Sequence, residues 1–225
     1  MLASNKIIGI LGGGQLGKMT LEVSNKWGLK IYILDPDENC PSKPFCSKFF
    51  QGDLMDFNTV YNFGKQVDLI TIEIENINVE ALEELKKEKK IVYPQPEILK
   101  IIQDKSLQKE FYSKHNIPSA PFKKFISKEE LKNFISNDEM PYPFIWKSSK
   151  MGYDGYGVKL IKDNNSIDDI PDKHFIIEEK AEIEKELSVM VVSTPSGEVI
   201  NYPVVEMQFN SRSNQVEYII SPARI

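Results

Sequence analysis

The chain has 225 residues, 41% of them hydrophobic and 27% charged, with a formal net charge of −5. That length is about 1.5 domains of ordinary globular composition, which excludes a disordered or fibrous protein, and the negative balance leaves no global basic field for a nucleic acid. No apolar run approaches the ~18 residues of a bilayer span, the start MLASNKIIGILGGG lacks the layout of a signal peptide, and Cys40 and Cys46 with two distant histidines make neither a disulfide framework nor a metal set. An intracellular, acidic globular protein is expected. Ile7–Leu11 forms a short β-branched strand that stops at Gly12-Gly13-Gly14. From Gln15 to Trp27, Leu16, Met19, Val23 and Trp27 recur at helical spacing, and Gly28 fits a helix C-cap. Ile31–Leu34 is a second buried strand ending at Asp35-Pro36. Helical patterns at about 56–66 and 78–90 flank a third strand, Asp68–Ile72, and Ile91-Val92-Tyr93 is a fourth, closed by Pro94 and Pro96. Strands and helices in alternation, with continuous apolar strands, predict a parallel sheet covered on both faces.

The second half reads differently. After a helix at about 104–115 come closely spaced strands at Phe122–Ile126, Pro143–Lys147, Gly157–Lys162, Phe175–Glu179, Leu187–Ser193, Val199–Glu206 and Val216–Ile220. One clear helix, at about 128–136, interrupts them. This spacing predicts antiparallel pairing in an α+β unit, with the junction near Lys114–Pro118. The abrupt end at Ser221–Ile225, just after a strand, reads as a chain cut inside a domain.

Several constellations could carry chemistry. Gly12-x-Gly14-x-x-Gly17 lies between a strand and a helix, where glycines allow a tight turn and close ligand approach while the helix start favours an anion. Asp35 stands near the place of a ribose-binding carboxylate in a dinucleotide fold. The alternative is turn geometry alone. Lys147 ends an apolar strand, and Gly152–Gly157 follows with three glycines; such a pair can hold a phosphate, or can be a glycine-rich hairpin beside a surface lysine. The strand Phe175–Glu179 can offer its edge to an adenine, and Glu186 can accept from ribose hydroxyls, whereas Glu182 and Glu184 read as a solvated turn. Lys105 near a helix start opposes the macrodipole and so favours a bound anion, with Asp104 as an N-cap. Glu73 and Glu75 follow the third strand, where open parallel sheets collect ligands. His115 reads as a helix-end partner and His174 as a surface residue. Lys86, Lys87, Lys89 and Lys90 read as a solvated helix end.

GGGQLGKM at 12–19, LDPDENCP at 34–41, IEIENI at 72–77, DKSLQK at 104–109, MGYDGYG at 151–157 and EKELSV at 184–189 occur in that order. Together they closely resemble the 5-(carboxyamino)imidazole ribonucleotide synthases, ATP-grasp ligases of purine biosynthesis, over essentially the whole chain. The resemblance implies a Rossmann-like pre-ATP-grasp domain at 1–100. An ATP-grasp domain would follow at 101–225, with a lid at about 117–180 and the start of a large subdomain at 181–225. It implies that ATP activates bicarbonate as carboxyphosphate and that the exocyclic amine of aminoimidazole ribonucleotide is carboxylated. Carried over by position, Lys105 and Lys147 would contact ATP phosphates. The phosphate-covering loop would be Gly152, Tyr153, Asp154, Gly155, Tyr156, Gly157 and Val158, with Tyr153 and Asp154 as the catalytic candidates facing the imidazole. Glu178, Glu179, Lys180 and Ala181 would line the adenine, Glu186 would meet the ribose, and Gly14, Gln15, Leu16 and Glu73 would bind substrate.

Three departures from the family stand out. Many members carry arginine at the position of Lys105, which alone could make a bidentate contact. Some have a histidine near ATP where this chain has Phe209. Members also continue well beyond this length, so the magnesium ligands are expected beyond residue 225, with none in this chain, and the chain is expected to be a fragment with little turnover alone. A cytoplasmic homodimer is implied, without nucleic-acid or membrane partners. Two other readings are an NAD-dependent Rossmann oxidoreductase, built on Gly12, Gly14, Gly17 and Asp35, and a non-catalytic nucleotide-binding module.

Overall fold

The computed structural model describes residues 5–136, 141–150, 157–210 and 215–225. The chain divides into two compact units, 1–118 and 119–225. In the first, β1 (Ile7–Leu11), α1 (Gln15–Ser24), β2 (Lys30–Asp35), β3 (Lys48–Gln51), α2 (Phe57–Lys65), β4 (Leu69–Ile72), α3 (Val79–Lys87), β5 (Ile91–Val92), α4 (Pro96–Gln103) and α5 (Lys105–Lys114) follow in order. All five strands pair in parallel, in the order β3-β2-β1-β4-β5. The side-chain period of two explains why the strands read as unbroken apolar runs. Ile10, Ile31 and Ile33 pack with Leu21 of α1 on one face, while Leu11, Leu34 and Ile70 pack with Val60, Phe63, Leu82, Leu85 and Leu99 on the other.

The expected helix at 15–27 ends at Ser24, and a tight 3-10 turn carries the chain through Trp27 to Gly28, whose φ of 68° suits glycine. The helix buries Gly17, Leu21 and Ser24, and Leu21 packs on the sheet. The apolar residues that signal the helix, Leu16, Met19, Val23 and Trp27, lie on its exposed side.

Two elements of this unit are absent from the sequence expectation. The edge strand β3 is only four residues long and pairs on one side alone, too short for alternation to show. Pro96 reads as a break, yet it opens α4, where a missing N–H costs nothing.

The second unit contains β6 (Phe122–Phe125), α6 (Lys128–Ile135), β7 (Phe144–Ser148), β8 (Val158–Ile161), α7 (Asn165–Asp168) and β9 (Phe175–Glu179). After these come β10 (Glu186–Ser188), β11 (Val191–Ser193), β12 (Val199–Asn201), β13 (Val205–Phe209) and β14 (Val216–Ile220). The first four strands form an antiparallel sheet, β6-β9-β7-β8. One of its faces buries Phe144, Trp146, Phe175 and Ile177 together with Leu131 of α6 and Ile167 of α7. The period of two sends Ile145, Lys147, Ile176 and Glu178 to the opposite face. α7 is a single helical turn, too short to show as a periodic pattern.

The last strands depart from expectation. The runs at 187–193 and 199–206 each break in two, because β11 and β12 leave as their own hairpin while β10, β13 and β14 form a three-stranded antiparallel sheet. Pro203 lies at the second break, where a residue without an N–H cannot extend a ladder. Apolar side chains of this region, among them Val191, Tyr218 and Ile219, are exposed.

Candidate nucleotide and substrate site

In the first unit the glycine turn is shaped by two carboxylates. Gly12, at φ 97°, occupies a conformation that side chains rarely adopt. The Gly13 N–H donates to Asp35 Oδ2 at 2.7 Å and the Asp37 N–H donates to Oδ1 at 2.8 Å. Both oxygens of Asp35 therefore bracket backbone, which is not how a dinucleotide fold uses its ribose-binding carboxylate. Glu73, whose N–H bonds the Leu11 carbonyl at 2.7 Å, lays its own carboxylate across the turn. A Cβ at Gly14 would stand 2.6 Å from Glu73 Oε1, and one at Gly12 would stand 2.9 Å from Oε2. Close approach of this carboxylate is thus one reason for glycine at both positions. Beside it α1 begins without a side-chain cap, with Gln15 and Leu16 exposed. The turn offers main-chain donors at the helix start next to a carboxylate acceptor.

Lys105 opens α5, as expected, and Asp104 caps that helix, its Oδ1 accepting from the N–H groups of Ser106 at 2.9 Å and Leu107 at 3.4 Å. His115 closes the same helix, its ring 4.3 Å from that of Phe111. Cys40 is buried under Gly13 and Cys46 is half-buried, and burial pushes both thiols up from their ordinary range. Lys86 pairs with Glu97, and Lys90 donates to the carbonyls of Lys65, the last residue of α2, and of Val67, so these lysines serve local structure.

In the second unit, Lys147 and Glu178 lie diagonally across β7 and β9, and their Nζ and Oε2 meet at 2.9 Å. The Glu178 side chain is 8% exposed and that of Lys147 29%. The Ser148 N–H donates to the Gly157 carbonyl at 2.8 Å, and Gly157, at φ 77°, turns the chain into β8. These contacts fix the two ends of the glycine loop beside Lys147, and Val158 pairs with Lys147 across the ladder. Gly152, Tyr153, Asp154, Gly155 and Tyr156 lie outside the described residues.

At the other end of β9, the Glu179 N–H donates to the Pro121 carbonyl at 3.0 Å, and Glu179, Lys180 and Ala181 are exposed. Glu186 opens β10 opposite Met207. Glu186, Met207 and Phe209 line one pocket of about 390 Å³ together with Lys185, Glu206 and Gln208. The structure thus brings Glu186 to the same pocket as Phe209, the position flagged from sequence. His174, Glu182 and Glu184 are exposed.

One pair is invisible in the sequence. The buried Glu206 carboxylate accepts from Arg224 Nε at 3.1 Å, from its Nη2, and from Gln208 Nε2 at 3.2 Å. The guanidinium holds the Glu206 carboxyl down to about 2. No local spacing signals an ion pair formed across β14 and the turn after it.

A cation held on a rigid strand at the mouth of a glycine loop can neutralise phosphate charge, and the neighbouring carboxylates can orient polar groups of a nucleotide. Comparison with known proteins gives the family. Residues 5–103 match the ribonucleotide synthetase preATP-grasp domain family and residues 110–225 match the ATP-grasp domain family. A phosphoribosylaminoimidazole carboxylase from Candida glabrata is 34% identical over 98% of this chain and 40% of its own length. An N5-carboxyaminoimidazole ribonucleotide synthase from Staphylococcus epidermidis is 31% identical over 96% of this chain and 58% of its own. The solved N5-carboxyaminoimidazole synthase of Aspergillus clavatus, in complex with ADP and 5-aminoimidazole ribonucleotide, superposes with a TM-score of 0.86 at 28% identity, covering 97% of this chain and 57% of that one. The chain therefore spans about two-fifths to three-fifths of the length of these relatives. With its parallel N-terminal sheet and antiparallel sheets following, it belongs to the ATP-grasp domain family, and N5-carboxyaminoimidazole ribonucleotide synthases are among its relatives.

Proposed function

We propose that the chain carries the nucleotide-gripping part of an enzyme that carboxylates 5-aminoimidazole ribonucleotide at the expense of ATP. In this reaction bicarbonate oxygen attacks the γ-phosphorus of ATP, giving carboxyphosphate and ADP. The exocyclic amine then takes the carboxyl carbon, inorganic phosphate leaves, and the amine gives up a proton. The observation that carries the reading is Lys147 set beside Glu178 on the sheet face turned away from the aromatic core, at the mouth of the glycine loop. The bound ADP and 5-aminoimidazole ribonucleotide in the Aspergillus clavatus relative supports the choice of ligands.

Within this reading Lys147, Lys105 and the loop Gly152–Val158 neutralise and cover the triphosphate. Such chemistry needs charge and position and no protein nucleophile. Glu178 to Ala181 receive the adenine and Glu186 the ribose. Tyr153 and Asp154 face the imidazole, while Gly14, Gln15, Leu16 and Glu73 bind the substrate nucleotide. Among the described residues no group of three His, Cys, Asp or Glu side chains is arranged to hold a metal ion. The magnesium that normally accompanies ATP therefore has no site assigned to these residues, and no step here is routed through it.

No helix among the described residues is long and apolar enough to cross a membrane, which is consistent with the cytoplasmic location we propose. The exposed apolar side of α1 supports self-association as a homodimer. The function is tested by incubating the intact enzyme with ATP, bicarbonate and 5-aminoimidazole ribonucleotide. Equimolar ADP, phosphate and carboxylated product are expected, and Lys147→Met is expected to abolish them. ATP consumption that ignores the imidazole nucleotide would contradict the proposal.

A further inference from the structure

We infer that Gln103 is a positioning residue that holds the Glu73 carboxylate and the Lys105 end of α5 in one frame. The inference rests on the proposed reading, in which Glu73 meets the imidazole nucleotide and Lys105 meets ATP phosphate. Gln103 is the last residue of α4, and its side-chain Nε2 donates to the Glu75 carbonyl at 2.7 Å and to the Ile77 carbonyl at 2.8 Å. Those carbonyls belong to the loop that follows β4 and begins with Glu73. The loop is tied at its start by the Glu73 N–H to Leu11 and at its end by the Asn78 N–H to the Leu54 carbonyl at 2.8 Å. Gln103 stitches the stretch between.

The chemistry singles out an amide. Two carbonyls need two protons, and a neutral side-chain amide supplies both from a single nitrogen. A carboxylate would turn acceptors toward acceptors, and an apolar side chain would leave two half-buried carbonyls without these donors. The link to the nucleotide side is covalent and short. Only Asp104, in extended conformation at φ −127° and ψ 108°, separates Gln103 from Lys105, and Asp104 is itself fixed as the cap of α5. Displacing the Glu73 loop relative to α4 therefore displaces the start of α5, and the reverse holds too.

The test uses Gln103→Met and Gln103→Glu in the intact enzyme, with Glu73→Gln and Lys105→Met as references. For Gln103→Met, KM for ATP and KM for 5-aminoimidazole ribonucleotide are expected to rise together, about tenfold each, the order set by losing two neutral hydrogen bonds. The value of kcat should change much less. Glu73→Gln should raise the imidazole KM alone, and Lys105→Met the ATP KM alone. Gln103→Glu should recover part of both values as pH falls toward 5, where a protonated acid can donate again. If the references behave as stated but Gln103→Met moves neither KM, or only one, the coupling is refuted while the functional reading stands. If neither reference variant changes its KM, the functional reading itself fails, and the inference with it. Should the variants not fold, hydrogen exchange on the unmodified enzyme decides. ATP alone should slow exchange at residues 73–77, and unchanged exchange there overturns the inference.

Discussion

Replacing Lys147 by methionine keeps the aliphatic stem and removes an ammonium held 2.9 Å from Glu178. Removing one member of a fully buried pair costs about 3–5 kcal/mol, whereas an exposed pair contributes about 0–1 kcal/mol. Here the carboxylate is 8% exposed and the lysine 29%, so the pair lies between those limits. We expect a loss of about 1–3 kcal/mol. For a unit of this size that lowers the unfolding midpoint by roughly 4–13 °C. Glu178→Gln should recover most of the loss in the Lys147→Met background, because two neutral groups of matching size replace the pair. ATP affinity should not recover, because the positive charge is still missing. Thermal unfolding by circular dichroism and ATP titration by calorimetry give the two readouts. Single variants that unfold within about 1 °C of the parent would refute the stability argument, and ATP affinity restored in the double variant would remove Lys147 from the phosphate site.

Four further outcomes follow from the geometry. Gly14→Ala should leave stability within about 1 kcal/mol, because Gly14 has an ordinary φ of −72° and its new Cβ meets only the movable end of Glu73; it should weaken substrate binding measurably. Gly64→Ala places a Cβ 2.3 Å from Leu85 Cδ1 in the core and should destabilise by about 1–3 kcal/mol without changing either KM. The depressed carboxyl of Glu206 makes the β13–β14 region acid-sensitive. The support it lends is present above its ordinary value of 4.5 and is lost as pH falls toward about 2, and Arg224→Met should flatten that dependence in acid titrations followed by circular dichroism. Hydrogen exchange should be fast in β10–β12, whose residues are exposed, and slow in β1 and β4, which lie in the centre of the parallel sheet.

Much of the architecture was legible because burial on both faces leaves a one-dimensional trace. β1, the Ile31–Leu34 stretch of β2 and most of β4 are apolar, and helices 57–65 and 79–87 follow the expected spans closely. What escaped depends on tertiary context. β3 needs the edge of β2 to define it, α4 starts on a proline that also reads as a stop, and the last strands split where they change partners. At the candidate site, the placement of Lys147 on β7, of Glu186 at the start of β10 and of the glycine turn between β1 and α1 was readable from residue type and place in the chain. The second role of Glu73, filling the space left by Gly12 and Gly14, was not, since the contact joins β1 to the end of β4. Arg224 and Gln103 were hidden for the same reason: each acts on a segment about 18 to 28 residues away.

Hydrogen exchange of the intact enzyme with and without ATP tests the central claim most directly. The account expects ATP to slow exchange in β7, at residues 175–181 of β9 and its exit, and at the start of β10. Protection confined to residues 12–17, with β7 and β9 unchanged, would contradict it.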